Sequence, residues 1–165
     1  MDVATILKLK GNTVVTTTAD KSLRDVAKLL ALHGIGCIVI VSGTDDVTGI
    51  VSERDLVRAI GQCGAKVLEE PVSVHMTKSV VSAREADTIE RLMSEMTVNR
   101  FRHMPVVERG QLIGLVSIGD VVKMHVTDIE CESAVMRRYI TTGGAEPIMP
   151  NAKKSVGPPR RHSGH

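Results

Sequence analysis

A chain of 165 residues, 42% hydrophobic and 24% charged, has the balance of a globular protein with room for a core. One Phe, one Tyr and no Trp make that core aliphatic, and the same shortage argues against holding single-stranded nucleic acid by base stacking. The net charge of +2 belongs to the end of the chain: Lys153, Lys154, Arg160 and Arg161 meet no acid after residue 149, which leaves −2 on the rest and argues against a basic DNA-binding face.

In chain order, Met1–Lys10 is a short, weakly amphipathic lead-in with Val3, Ile6 and Leu7. Gly11-Asn12 breaks it before the β-branched segment Thr13–Thr17. Asp20 or Ser22 then caps a helix whose apolar face is Leu23, Val26, Ala27 and Leu30, and Gly34 is placed to stop it in a left-handed conformation. Cys37–Val41 is a continuous apolar run, too short for a helix and rich in β-branching, so it reads as a buried strand. Turn chemistry at Ser42–Asp46 leads into a second strand, Val47–Val51. Ser52-Glu53-Arg54-Asp55 opens a helix with Leu56, Val57, Ala59 and Ile60, ended by Gly61.

The same order then returns. Val80-Val81 matches Val14-Val15 sixty-six residues on, and Ile89, Leu92, Met93 and Met96 repeat the earlier helix face at the same offset. Phe101–Val107 falls on Ile35–Val41. After the turn the offset drops by one, so that Gly114, Ser117 and Asp120 match Gly49, Ser52 and Asp55. The single indel lies in a surface turn, where insertions are tolerated. Such an internal repeat governs everything else read from the chain. The expected architecture is α/β (α+β): two β-α-β-β-α repeats, residues 3–65 and 72–125, each too small to close its own core and packed as a pseudo-two-fold pair.

Beyond Val122 the helix either continues or breaks near Thr127-Asp128. Ile129, Met136 and Ile140 suggest an amphipathic C-terminal helix over 126–142, ended by Gly143-Gly144. Residues 143–165, rich in Pro, Gly and basic side chains, read as a flexible basic tail. Cys37, Cys63 and Cys131 are widely spaced and odd in number, which implies neither a disulfide framework nor a zinc site. With no apolar run bounded by a cleavage site near Met1 and no stretch approaching a membrane span, a cytoplasmic location and no membrane partner are expected.

Two motifs stand at strand-to-helix junctions: Ser52-x-x-Asp55 and Ser117-x-x-Asp120. Taken singly, each reads first as a capping box, worth about 1 kcal/mol per cap. The same geometry offers a helix N-terminus to an anion, a Ser hydroxyl to a phosphate, and a short carboxylate to two ribose hydroxyls. Arg102-His103 is either a solvated basic pair at a strand edge or a phosphate-holding pair. Pro105 beside it lacks an amide donor and favours a strand end or edge, where exposed backbone at Met104-Pro105 would read the rim of an adenine.

Together these segments resemble a tandem of CBS domains, the so-called Bateman module, over roughly Val3–Val122. The residues that carry the likeness are Ile35–Val39 with Gly49–Leu56, and Phe101–Val107 with Gly114–Val121. The resemblance implies two clefts between the repeats for adenosine-containing ligands such as AMP, ADP, ATP, S-adenosylmethionine or NAD. On this chain it places Asp120 and Asp55 at ribose hydroxyls and Ser117 and Ser52 near phosphate. Lys78, Ser79 and Val80, with Asn12, Thr13 and Val14, would line base or ribose. Backbone near Met104 and Pro105, and near Gly36 and Cys37, would flank adenine, and Arg102, His103 and Arg54 would face phosphates. Because Gly36-Cys37 stands where the second repeat has Arg102-His103, the first cleft has no cationic pair of its own and depends on the other repeat for charge.

An enzyme would need a nucleophile or an acid/base pair held against substrate. His103 is the only histidine in a convergent constellation, and no second shell is visible for it, so a non-catalytic, sensing module with no catalytic cofactor is expected. The resemblance also implies a homodimer and a regulated partner protein. The rival reading is an interaction module with empty clefts, its basic tail touching an acidic partner or nucleic acid, although most basic tails are simply solvated.

Overall fold

The computed structural model describes residues 1–43 and 46–141. The tip of the expected Ser42–Asp46 turn, the Gly143-Gly144 stop and the basic tail lie outside the described residues. Residues Met1–Ile129 form one compact unit, and a second begins at Glu130.

The chain mixes helices and short strands. Asp2 caps α1 (Val3–Lys10) by accepting from the Thr5 amide. Ser22 caps α2 (Leu23–His33) by accepting from Asp25, and Gly34, at φ 60°, ends it in the left-handed region. Strands β1 (Thr16–Thr17), β2 (Cys37–Val41) and β3 (Val47–Ser52) make one sheet, β1 parallel and β3 antiparallel to β2. Helix α3 runs Glu53–Cys63. It passes through Gly61, where the sequence reading ended it, and stops at Gly64, whose amide donates to the Ile60 carbonyl and whose φ of 77° suits glycine. A mid-helix glycine costs only about 1 kcal/mol.

After two short 3-10 turns, Ala65–Glu69 and Val72–Val74, the order repeats as α4 (Ile89–Val98), β4 (His103–Glu108), β5 (Gln111–Ser117) and α5 (Ile118–Thr141). α5 is continuous through Thr127-Asp128. The repeat is visible down to single residues. Cys37 pairs with Ser52 as His103 pairs with Ser117, and each hairpin carries its irregularity at the matching place, Ile40/Val41 and Val106/Val107.

One strand is lost between the copies. Thr16 and Thr17 pair with Val39 and Ile40, but only Ala83 bridges Val106 in the second repeat. Pro105 replaces Val39. Its carbonyl accepts from the Ala83 amide, while the next bond toward Val81 needs an amide that proline does not have. The ladder therefore shrinks to one bridge.

Each repeat has its own aliphatic core, but the lead-in segments cross over. Val3, Ile6 and Leu7 of α1 are buried with Leu92, Met104 and Val116 of the second repeat. Val72 is buried with Leu23 and Ile38 of the first, and Met76 packs beside it. The crossings meet matching glycines: a Cβ on Gly114 would lie 2.6 Å from Leu7 Cδ2, and one on Gly49 would lie 2.5 Å from Met76 Sδ. Such overlap is too close for either site to take a larger residue without moving the crossing segment. The exchange welds the two repeats and puts loops from both around the space between them.

Candidate functional site

The space between the repeats holds two cavities. The larger, about 350 Å³, lies over the start of α3 and is lined by Ser52, Glu53, Arg54, Asp55 and Arg58 from the first repeat. Thr77, Ser79, Val80 and Val81 form a second wall, and Asn99–His103, the link from α4 to β4, forms a third. Small-molecule sites typically begin at about 300 Å³. The smaller cavity, about 210 Å³, is lined by Lys10, Thr13, Val14, Val15 and Ile35 on one side and by Leu115 and Ser117 on another. Gly36, Cys37 and His103 border both.

At the first cavity the Ser52-x-x-Asp55 motif is a formed capping box. Asp55 Oδ2 accepts from the Ser52 amide at 2.9 Å and from Ser52 Oγ at 2.7 Å. Asp55 Oδ1 stands 3.6 Å from Arg58 Nη1. The cap thus fixes the carboxylate at the cavity wall, one oxygen committed to the helix start and the other toward a largely exposed guanidinium. The structural and the ligand-binding readings of this motif describe the same atoms.

Both repeats bring positive charge to the larger cavity, Arg54 and Arg58 supplying from the first what Gly36-Cys37 does not. Arg100, Arg102 and His103 border the larger cavity with Arg54 and Arg58, four guanidiniums against the two carboxylates of Glu53 and Asp55. Arg54 reaches across and donates from Nη1 to the Arg100 carbonyl at 3.2 Å. Arg100 itself has φ 57°, the left-handed region that costs an L-residue about 1–2 kcal/mol. Its counterpart one repeat earlier is Gly34, at φ 60°. The fold wants a glycine there and holds an arginine at the cavity rim instead, an outlier of the kind that clusters at functional sites.

His103 sits between the cavities. Burial, together with the nearby Lys10, holds its imidazole below the ordinary histidine value; Asp120 and Glu53 pull the other way and Arg102 adds to the lowering. The missing side chain of Gly36 makes room for the ring, since a Cβ there would lie 3.3 Å from His103 Cε1. Burial pushes the Cys37 thiol up to about 12, so it stays protonated and unreactive near neutral pH.

The second capping box is also complete. Asp120 Oδ2 accepts from the Ser117 amide at 2.8 Å and from Ser117 Oγ at 2.7 Å, and Ser117 Oγ accepts from the Asp120 amide at 3.3 Å. Asp120 nevertheless does not line a cavity, because Lys10 Nζ sits on the same Oδ2 at 2.7 Å. Burial pushes this carboxyl up, and the hydrogen bonds from Lys10 and Ser117 outweigh it, holding the group below the usual carboxylate range.

Of the residues singled out from sequence, Gly36, Cys37, Ser52, Arg54, Asp55, Val80, Arg102 and His103 meet at the larger cavity, and Thr13, Val14 and Ser117 at the smaller. Lys78, Met104, Pro105 and Asp120 border neither; Met104 and Pro105 lie buried in β4, paired with Val116 and Leu115. Sequence reasoning passed over Arg58, Arg100 and Lys10. Arg58 was legible as a cation one helical turn past Arg54, and Arg100 as a non-glycine at the repeat position of Gly34. Lys10 carried no signal, because the crossing of α1 had to be known first.

Among the described residues no helix is long and apolar enough to cross a membrane, and no group of three or more His, Cys, Asp or Glu is placed to hold a metal ion.

The CBS domain model matches twice, over residues 11–62 and 72–126. The chain belongs to the CBS domain family. It is 31% identical over 149 residues to the mitochondrial CBS domain-containing protein CBSX3 of Arabidopsis thaliana, a match covering 86% of this chain and 72% of that one. Among solved structures it is similar to the CBS-domain containing protein ATU1752 of Agrobacterium tumefaciens, with a TM-score of 0.74 and 46% identity over 76% of this chain and 99% of that one. It is also similar to the CBS domain protein PAE2072 of Pyrobaculum aerophilum, complexed with AMP, with a TM-score of 0.65 and 26% identity over 73% of this chain and 89% of that one.

Proposed function

We propose that the chain is a non-catalytic regulatory module that binds an anionic adenine nucleotide in the cavity over α3 and reports its presence to a partner protein. The observation that carries this reading is the convergence there of a cap-fixed carboxylate, Asp55, with guanidiniums from both repeats, Arg54, Arg58, Arg100 and Arg102. The AMP complex of the Pyrobaculum relative supports the ligand class. Asp55 accepts hydrogen bonds from the ribose hydroxyls, Val80 and Val81 cover the nucleoside, and the phosphates lie toward Arg100, Arg102 and His103. Guanidinium forks suit phosphate oxygens. They disfavour S-adenosylmethionine, whose sulfonium would face the same cations, so AMP, ADP, ATP and NAD are the preferred ligands.

Thermal shift tests the reading. A ligand that binds only the folded chain adds about 2.7 kcal/mol at a hundredfold excess over its Kd, or roughly 5–10 °C of Tm at this size. AMP, ATP or NAD should raise Tm by that amount and S-adenosylmethionine by much less. No shift with any of the four, or a larger one with S-adenosylmethionine, refutes it. A homodimer is part of the same proposal: Val57 on α3 and Val122 on α5 hold matching repeat positions and are both exposed. Light scattering of a Val57→Glu, Val122→Glu variant should give half the wild-type mass.

A further inference from the structure

The two clefts share a repeat but not a chemistry, and the difference sits on one side chain. Asp55 lines its cavity, whereas Asp120, the matching carboxylate, is screened from its own by Lys10. The residue sixty-six positions on from Lys10 is Met76, which is uncharged and packs against Gly49. No counterpart of Lys10 therefore reaches Asp55 from the other repeat, and the nearest cation there, Arg58, comes from Asp55's own helix at 3.6 Å.

Resting on the nucleotide-binding reading above, we infer that Lys10 sets the occupancy of the module: seated on Asp120, its ammonium keeps ribose out of the second cleft, so that each chain takes one adenine nucleotide and takes it at Asp55. Three observations combine. The contact is a charge-assisted hydrogen bond at 2.7 Å between groups that are each only about a third exposed or less, 34% for Lys10 and 26% for Asp120, so water screens it less than a surface pair. It lands on Oδ2, the oxygen already taken twice by Ser117. Lys10 also lines that cavity, whose volume of about 210 Å³ is below the usual range for small-molecule sites. A ribose diol entering there competes with the Lys10 ammonium for Asp120, whereas Asp55 lines its cavity and meets only the more distant Arg58, 3.6 Å from Oδ1.

The repeat supplies its own control. Replacing Lys10 with the residue at the matching position, Lys10→Met, removes the ammonium and keeps the aliphatic stem. Titration calorimetry of the full chain with AMP should show one site for the wild type and two for Lys10→Met, the new site tightening about 10- to 150-fold relative to any residual second-site binding, the worth of a charged hydrogen bond. Asp55→Ala should weaken the single wild-type site about 10- to 150-fold and leave the new site of the Lys10→Met chain unchanged. Lys10→Gln is a second, polar variant, expected to behave as Lys10→Met does, and thermal melts confirm that each variant is folded.

Two equal sites on the wild type overturn the inference and leave the nucleotide reading standing. So does a folded Lys10→Met chain that still binds one AMP. A wild-type second site that weakens in Lys10→Met overturns it as well, by making Lys10 a phosphate ligand. Absence of AMP and ATP binding from the wild type overturns the nucleotide reading itself, and this inference with it.

Discussion

The sharpest consequence of the geometry at Asp55 is that folding and binding draw on the same carboxylate and can be pulled apart. Asp55→Ala removes the acceptor of the Ser52 amide and hydroxyl, and the loss of a helix cap costs about 0.5–2 kcal/mol. At about 2–4 °C of Tm per kcal/mol, the variant stays folded at room temperature. It also removes the charged partner of the ribose diol, worth about 1.5–3 kcal/mol, which is about 10- to 150-fold in Kd. Ser52→Ala damages the cap to a similar degree but takes away only a neutral hydroxyl, so its Kd should rise by about 10-fold at most. The decisive assay is a cycle in which the ligand supplies one of the changes: AMP against 2′,3′-dideoxy-AMP, measured by calorimetry on the wild type and on Asp55→Ala. The wild type should penalise the dideoxy ligand, and Asp55→Ala should not distinguish the two, because coupling energies isolate a direct contact. An equal dideoxy penalty on both proteins, or equal losses of AMP affinity in Asp55→Ala and Ser52→Ala, refutes the reasoning and leaves Asp55 a cap.

Two further expectations follow from the cations. The folded-state pKa of His103 lies below its ordinary value, so its contribution to stability is fully present above about pH 6.5 and is lost as pH falls through the folded value; melts of His103→Gln should lack that acid-side loss. A phosphate beside the ring raises the same pKa, so AMP affinity in the wild type should gain on that of His103→Gln as pH drops from 8 to 6. Arg100→Gly places the residue of the first repeat in the left-handed site and should raise stability by about 1 kcal/mol while weakening ATP more than adenosine; a variant that loses stability, or that weakens both ligands equally, contradicts the view of Arg100 as a strained phosphate contact.

The architecture was largely legible before any coordinates, because the repeat checks itself. Helix face, strand and Ser-x-x-Asp recur in order with a single indel between them, and Cys37↔Ser52 and His103↔Ser117 are the same pairing. What escaped was set by contacts far apart in sequence. The shortened ladder beside Pro105 needed the partner segment to be known, since proline is harmless at an unpaired edge and costly where Val81 runs alongside. The end of α3 needed the low helix propensity of Gly61, a cost of about 1 kcal/mol, weighed against the stop that Gly64 provides. The site was half legible for a related reason. Motifs that lie on one element, Ser52 to Asp55 and Ser117 to Asp120, could be read directly. Which cation meets which carboxylate depends on the crossing of α1 and of residues 72–76, which no local pattern announces.

On the proposed function, that crossing gives a ligand two halves to act on. If each repeat kept its own lead-in, a nucleotide would bind one rigid half and change nothing. Here the segments before the repeats are exchanged: α1 is buried in the second core, and Val72 and Met76 pack on the first. The wall from Thr77 to Val81 and the wall from Asn99 to His103 therefore face an α3 that belongs to the other half. Arg54 holding the Arg100 carbonyl is already one tie across that gap. On the same proposal, a phosphate among Arg100, Arg102 and Arg54 would add ties across that gap and offset the repulsion between their guanidiniums. A ligand shifts an equilibrium only by its differential affinity for two arrangements, and charge at this gap is where a nucleotide would differ from adenosine, which has the same ribose and base but no phosphate. The proposal therefore expects sensitivity to phosphate rather than to adenine from this placement of arginines.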